Sequence, residues 1–267
     1  MKSVAGRYQY AWILLRQLVI TDFKLRYQGS ILGYLWSLLK PLALFSILYV
    51  VFVRFLRFGG NVPYFAIYLL LGVVLWSYFV EVTSQSLTAI VSRGDLLRKL
   101  NFPRYVIVLS VAASALINLA LNLLVVFFFM FLARVPIGPQ MALLPILILE
   151  LFAFAVALGF LLSALYVRFR DLSYIWEVGL QAAFYATPII YPLNIVPEKI
   201  AKLLLLNPLA QIIQDSRYAV VTPQSPTISS TYGAEWPRLI PVVITLVAVI
   251  IAASYFRKMS RYFAEEV

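Results

Sequence analysis

Residues 21–53 read TDFKLRYQGSILGYLWSLLKPLALFSILYVVFV. Charges fall at Asp22, Lys24 and Arg26, and after Lys40 and Pro41 twelve apolar or small residues follow without a break. A segment that carries charge at every second position belongs at a surface. One that carries none over so long a run belongs in hydrocarbon. With Gly29–Ser30 as the corner, residues 1–30 are expected to form an amphipathic helix along the cytoplasmic face of a bilayer. Tyr8, Trp12, Leu15, Val19 and Phe23 are spaced to share its apolar side. The next helix then enters the membrane.

The rest of the chain is more of that second kind. Of 267 residues, 63% are hydrophobic and 12% charged, with a mean hydropathy of +0.91; soluble domains carry roughly 25% charged residues. The expected class is an all-α polytopic membrane protein. There is no Cys and no His, so a disulfide framework, a thiolate or imidazole metal site and a histidine general base are all excluded. Hydrolytic or redox chemistry is not expected, and no catalytic or metal-ligating residue is assigned. Arg7, Arg16, Asp22, Lys24 and Arg26 interrupt every apolar run before residue 30, so no secretory signal is expected to open the chain. The net charge of +11 is dispersed in short clusters between apolar runs, which points to membrane topology and not to nucleic acid.

A span needs about 20 mostly apolar residues, and six are expected, at 32–54, 65–88, 105–133, 141–165, 174–192 and 239–256, within a transmembrane domain of residues 31–267. An even count puts both termini on one side. Of the Lys and Arg residues, fifteen fall on that side and seven on the other, so both termini are expected in the cytoplasm of a bacterial inner (plasma) membrane.

Three connections stand out. Ser92–Arg104, SRGDLLRKLNFPR, is short and basic, and Gly94–Asp95 is suited to start a short helix before Pro103 opens the next span. Val167–Leu172, VRFRDL, carries Arg168, Arg170 and Asp171 around Phe169. Residues 188–237 hold seven of the fourteen prolines and two short helical patterns, EKIAKLLLL and PLAQIIQDSRYAV, split at Asn207–Pro208. Each pattern is too short to cross, so residues 193–222 are expected to form a re-entrant hairpin on the outer side between spans five and six. Protein or a water-filled cavity must then satisfy its backbone. The alternative is a seventh span over Ile200–Val221, which would bury Gln211, Gln214, Asp215 and Arg217 in one crossing.

Several segments stand in a telling order: D-F-K-L-R-Y at Asp22–Tyr27, followed by L-G-Y-L-W and Pro41; L-N-F-P-R at 100–104; V-R-F-R-D-L; T-P-I-I-Y-P at Thr187–Pro192; N-P-L and R-Y-A-V at Asn207 and Arg217; and F-A-E-E-V at the end. Together they resemble the permeases of type-2 ABC exporters that move lipid-linked polysaccharides, O-antigens and teichoic acids. The resemblance implies a homodimer docked on two cytosolic nucleotide-binding subunits, with ATP and Mg held by those subunits. The cargo would be a glycan on polyprenyl pyrophosphate. Independently, none of the eleven glycines is followed by Lys, so no phosphate-cradling G-x-x-x-x-G-K-[ST] loop is present and nucleotide must be handled by another chain.

By position, the resemblance implies that Arg93, Gly94, Asp95 and Leu96, with Arg168, Phe169, Arg170 and Asp171, couple to the ATPase. Phe45, Tyr49 and Phe52 on the first span, and Tyr68, Trp76 and Phe79 on the second, recur at helical spacing. With Gln181 and Tyr185 on the fifth span they are candidates for a polymer conduit, since aromatic faces and hydroxyls make many weak contacts to sugars. The competing role is an aromatic belt or packing against neighbouring helices. Lys24 and Arg26 are candidates for the lipid pyrophosphate. Glu81, Glu150 and Glu177 are expected to be satisfied structurally. The rival functions are export of teichoic acid, a drug or simple-lipid permease of the same architecture, and a proton-coupled transporter.

Overall fold

The computed structural model describes residues 4–27, 33, 35–56, 62–99 and 102–263. These residues are mostly helical, with no strand among them. Helix α1 spans Val4–Tyr27; α2 spans Leu35–Leu48 and continues as a π-helical stretch over Tyr49–Phe55. Then come α3 (Phe65–Ser92), α4 (Gly94–Lys99), α5 (Tyr105–Leu132), α6 (Leu144–Arg168) and α7 (Leu172–Ala186). Helices α8 (Glu198–Leu205), α9 (Pro208–Val220), α10 (Ile228–Tyr232) and α11 (Leu239–Met259) complete the order.

Five helical segments are long and apolar enough to cross a membrane: Leu35–Phe55, Phe65–Ser92, Tyr105–Leu132, Pro139–Arg168 and Trp236–Met259. The protein is therefore a multi-pass membrane protein. The expected fifth span, 174–192, is shorter than its apolar pattern: α7 ends at Ala186, and Thr187–Tyr191 turns back with the Thr187 amide donating to Ala183 O at 2.9 Å. Pro188 has no amide to continue the helix. The Gly29–Ser30 corner lies outside the described residues, as do Leu100, Asn101 and the last four residues of F-A-E-E-V.

Helix α3 is the axis of the bundle. Of its most apolar window 78% is buried, against 6% for that of α2, because α5 and α6 pack along α3 and α11 covers α6. Close approach of α3 and α6 depends on Gly159, where a Cβ would meet the Ser86 side chain at 2.8 Å. A second apolar cluster closes the end of the bundle that carries the two basic turns. It gathers Ala89, Ile90, Phe102, Ile107, Val108, Val167, Phe256 and the fully buried Phe263, with Leu14 and Leu96 packed against it.

Helix α1 lies on α5. Ala11 is buried, Leu14, Leu15, Leu18, Val19 and Asp22 are half-buried, and Trp12 and Ile13 face outward. Of the stripe expected in the interface, Trp12 faces outward and Leu15 and Val19 are half-buried, while the side chains of Tyr8 and Phe23 lie outside the described residues; the small Ala11 permits close contact with α5. Helix α2 is attached lightly to α3 and α5, and Asn122 Nδ2 donates to Ser37 O across the gap at 3.2 Å.

The two short helical patterns within 193–222 form α8 and α9. Asn207 accepts a hydrogen bond from the Leu209 amide at 3.0 Å and so caps α9, with Pro208 in its first turn. Helix α9 is buried on nearly every side against α6, α3 and α11, so its polar residues must find partners within the chain.

Candidate permeation site and its supports

The deepest polar anchor is Arg217, whose side chain is fully buried. Its Nε donates to Tyr68 O at 3.0 Å, and its terminal nitrogens donate to Pro188 O at 2.5 Å, Ile189 O at 2.7 Å and Gln214 Oε1 at 3.1 Å. The guanidinium lies 3.6 Å over the Tyr68 ring, and the Tyr68 hydroxyl donates to the same Gln214 oxygen at 3.1 Å. One planar fork thus ties α9, the turn after α7 and the start of α3 into a single joint. Gly72 is what lets it fit, for a Cβ there would sit 3.1 Å from Arg217 Cζ and closer still to a terminal nitrogen. Nearby, Gln211 Nε2 donates to Asp215 Oδ2 at 2.7 Å and Arg238 Nε approaches that oxygen at 3.5 Å.

Between α2, α3 and α7 lies a cavity of about 650 Å³. Its wall holds Trp76 and Val80 from α3, Leu44 from α2, and Trp176, Glu177, Gln181, Phe184 and Tyr185 from α7. Trp76 and Phe184 meet edge to face at 5.6 Å, so the aromatic wall is itself rigidly packed. Of the expected conduit residues, Trp76, Gln181 and Tyr185 are brought together here. Phe79 and Tyr68 are not. Phe79 is buried, stacked on Phe154 with ring centroids 5.9 Å apart, and Tyr68 lies beneath Arg217. Helical spacing put them in register with Trp76, but α6 and α9 cover that part of α3. Phe45, Tyr49 and Phe52 are half-buried and pack against the core. The helix winds wider over Tyr49–Phe55, with an i→i+5 bond from the Leu56 amide to Val51 O.

At the basic turns, the eight expected coupling residues separate into two groups. Arg93 is turned inward: it pairs with Asp22 of α1 at 2.5 Å and donates to Ser110 Oγ at 3.3 Å and Ile107 O at 3.4 Å. Gly94 is buried and Leu96 packs on the apolar cluster, whereas Asp95 is exposed. On the other turn Arg168, Phe169, Arg170 and Asp171 are all exposed; Arg168 lies 5.6 Å from the Phe169 ring and Arg170 lies 5.3 Å from that of Tyr166. Lys24 is exposed, and the Arg26 side chain lies outside the described residues. Among the described residues no three acidic side chains converge to hold a metal ion.

Sequence reasoning assigned no role to Asp22, Ser110 or Arg217. Asp22 and Arg217 sat in quoted segments, and the available signal was a charge placed where an apolar neighbour would be cheaper. The Asp22–Arg93 pair leads to a direct prediction. Asp22→Arg or Arg93→Asp alone should destabilise the protein by about 1–3 kcal/mol, because the remaining charge is left partly buried without its partner. The double exchange Asp22→Arg/Arg93→Asp should recover part of that loss. Melting of the four proteins in detergent checks it, and purely additive losses would refute the pairing.

A helical multi-pass bundle with an aromatic-walled cavity and two compact basic turns defines a membrane-embedded permease type. The chain belongs to the ABC-2 type transporter family, whose model matches residues 13–221. It is 31% identical over the full length of both chains to the O-antigen export system permease protein RfbA of Myxococcus xanthus. It is 27% identical to the RfbA protein of Klebsiella pneumoniae, covering 98% of this chain and 99% of that one. It is also 23% identical to the polysialic acid transport protein KpsM of Escherichia coli, covering 78% and 81% respectively.

Proposed function

We propose that this protein is the membrane-spanning permease of an ATP-driven exporter that carries a lipid-linked, O-antigen-like polysaccharide from the cytoplasm across the bacterial inner membrane. The observation that carries this reading is the end-to-end similarity to relatives named for O-antigen export. Two copies of the chain work with two cytosolic ATPase subunits, which hold ATP and Mg. Helix α1 lies at the cytoplasmic interface. Helix α7, whose 15 residues give about 22 Å of rise at 1.5 Å per residue, makes the fifth of six crossings, and the chain turns at Thr187–Tyr191 into the outer hairpin. The α8–α9 hairpin re-enters from the outer side, and Arg217 fixes its seat.

The aromatic cavity between α2, α3 and α7 is one wall of the glycan path. Tyr185 offers a ring face to sugar C–H groups and Gln181 offers exchangeable hydrogen bonds, above a floor that includes the buried Trp76, so a moving polymer meets many weak contacts. Phe169 with its flanking charges, and Asp95 on the other turn, meet the ATPase. Lys24 and Arg26 lie near the lipid pyrophosphate.

Reconstitution with the co-expressed ATPase tests the proposal. Polymer export should require both the ATPase and ATP. Exchange of the exposed Gln181 and Tyr185 together for Leu should slow export by about tenfold, a loss of roughly 1.4 kcal/mol of passage energy, without altering abundance in the membrane. ATPase-independent export would remove the permease reading, and normal export by the exchanged variant would remove the cavity from the path.

A further inference from the structure

Helix α2 is the span least held by its neighbours: 6% of its apolar window is buried, where each of the other four buries 22% or more. It also carries Pro41 inside its length. In a regular helix the Ser37 carbonyl takes its bond from the amide of residue 41. A proline has no amide, and its ring pushes that carbonyl aside. The donor comes from another helix. Asn122 of α5, 6% exposed, donates from Nδ2 to Ser37 O at 3.2 Å and to Asn118 O of its own helix at 2.8 Å. Both partners of that nitrogen are acceptors, so the amide can stand only one way round. An apolar side chain at 122 would suit the buried Leu119, Leu123 and Val126 beside it on α5 at lower cost; the amide is explained by the carbonyl that Pro41 cannot serve.

The same helix divides two cavities. A second one, of about 730 Å³, lies between α2, α3 and α5, with Pro41 and Asn122 in its lining. It shares Leu44 of α2, and Trp76, Val80 and Ser84 of α3, with the cavity beside α7. Leu44 is the α2 residue common to both, so its side chain stands between them. Pro41 on one side and the wider-wound Tyr49–Phe55 on the other bracket the short segment that carries it. We propose that Asn122 is a positioning residue, a latch that holds α2 where Leu44 separates the two cavities, and that release of its bond to Ser37 shifts α2 and joins them into one groove along α3. The bond is at the long end of the N–H···O range, so little free energy separates the two arrangements. The inference deepens the permease reading and rests on it only for the use of the groove. Its test reads helix position and not export, so either can fail alone.

Spin labels on Ile47→Cys of α2 and Leu124→Cys of α5, both well exposed in a chain without Cys, report the distance between the two helices in nanodiscs. The parent should show one distance. Asn122→Leu, which keeps the volume and removes the donor, should raise the population at a second distance by about tenfold. In the Pro41→Ala background residue 41 regains an amide for Ser37 O, so Asn122→Leu should there change nothing. A soluble maleimide should label Val80→Cys about tenfold faster in Asn122→Leu than in the parent, because the joined groove uncovers the divide. Unchanged distances in Asn122→Leu, or the same shift with and without Pro41, would overturn the latch; equal labelling of Val80→Cys would overturn the role of Leu44. If Asn122→Leu alone does not fold, Pro41→Ala/Asn122→Leu should fold, and failure of both would overturn the latch as well.

Discussion

Arg217→Leu is expected to destabilise the protein by about 3–5 kcal/mol, the cost typical of removing one side of a buried charged network. The leucine fills much of the volume but donates nothing. The carbonyls of Tyr68, Pro188 and Ile189 and the Gln214 side chain, all now served by one guanidinium, lose that donor in a place water does not reach, at about 1–3 kcal/mol per unsatisfied group. Arg217→Lys should restore only part of the loss, since an ammonium is a point charge and cannot reproduce the planar fork over the Tyr68 ring. Gly72→Ala attacks the same joint from the other side by pushing a methyl into the guanidinium. Melting in detergent should fall by about 10 °C for Arg217→Leu, and the turn after α7 should become accessible to protease. A melting temperature equal to that of the parent would show that this joint carries no stability.

The second large effect concerns the exposed turn between α6 and α7. Phe169→Ala is expected to weaken association with the ATPase subunit by about 2 kcal/mol, roughly 30-fold. A ring left 55% exposed with arginines on both sides has the composition of an interface anchor and contributes little to the fold of its own chain. Membrane abundance and melting should therefore stay unchanged while copurification of the ATPase and substrate-stimulated hydrolysis fall together. Asp95→Lys on the other turn should give a smaller loss of the same kind. Full retention of ATPase binding and coupled export in the Phe169 variant would take this turn out of the energy path. Arg93 belongs to a different test: because it holds α1 to α5, its loss should disturb stability before it disturbs docking.

The membrane class was legible in residues 21–53, and the helices largely follow the expected spans. The pattern at 65–88 becomes Phe65–Ser92, that at 105–133 becomes Tyr105–Leu132, and that at 239–256 becomes Leu239–Met259. Bilayer solvation is nearly local: a backbone in hydrocarbon must close its own hydrogen bonds, so a long apolar run already specifies a helix. The turn chemistry was local too: the Asn207 side chain caps α9 with Pro208 in its first turn, and α4 begins at Gly94. The short end of α7 was misjudged because apolar composition runs on through Ile189 and Ile190, yet those residues are buried in a turn that gives its carbonyls to Arg217.

The chain's order of residues, with no folding in view, was enough to establish a charge-poor helical membrane protein that lacks its own nucleotide loop and presents two basic turns. Which aromatics border a cavity and which are packing was settled by the bundle: Trp76 and Phe79 lie three residues apart on one helix and both are buried, but Phe79 stacks on Phe154 of α6 whereas Trp76 meets Phe184 of α7 in the cavity wall. Asp22 meets Arg93 across 71 positions and Arg217 meets Tyr68 across 149. Spacing along one helix reports which side chains share a face. What that face meets depends on how the neighbouring helices cross, and no single segment carries that information.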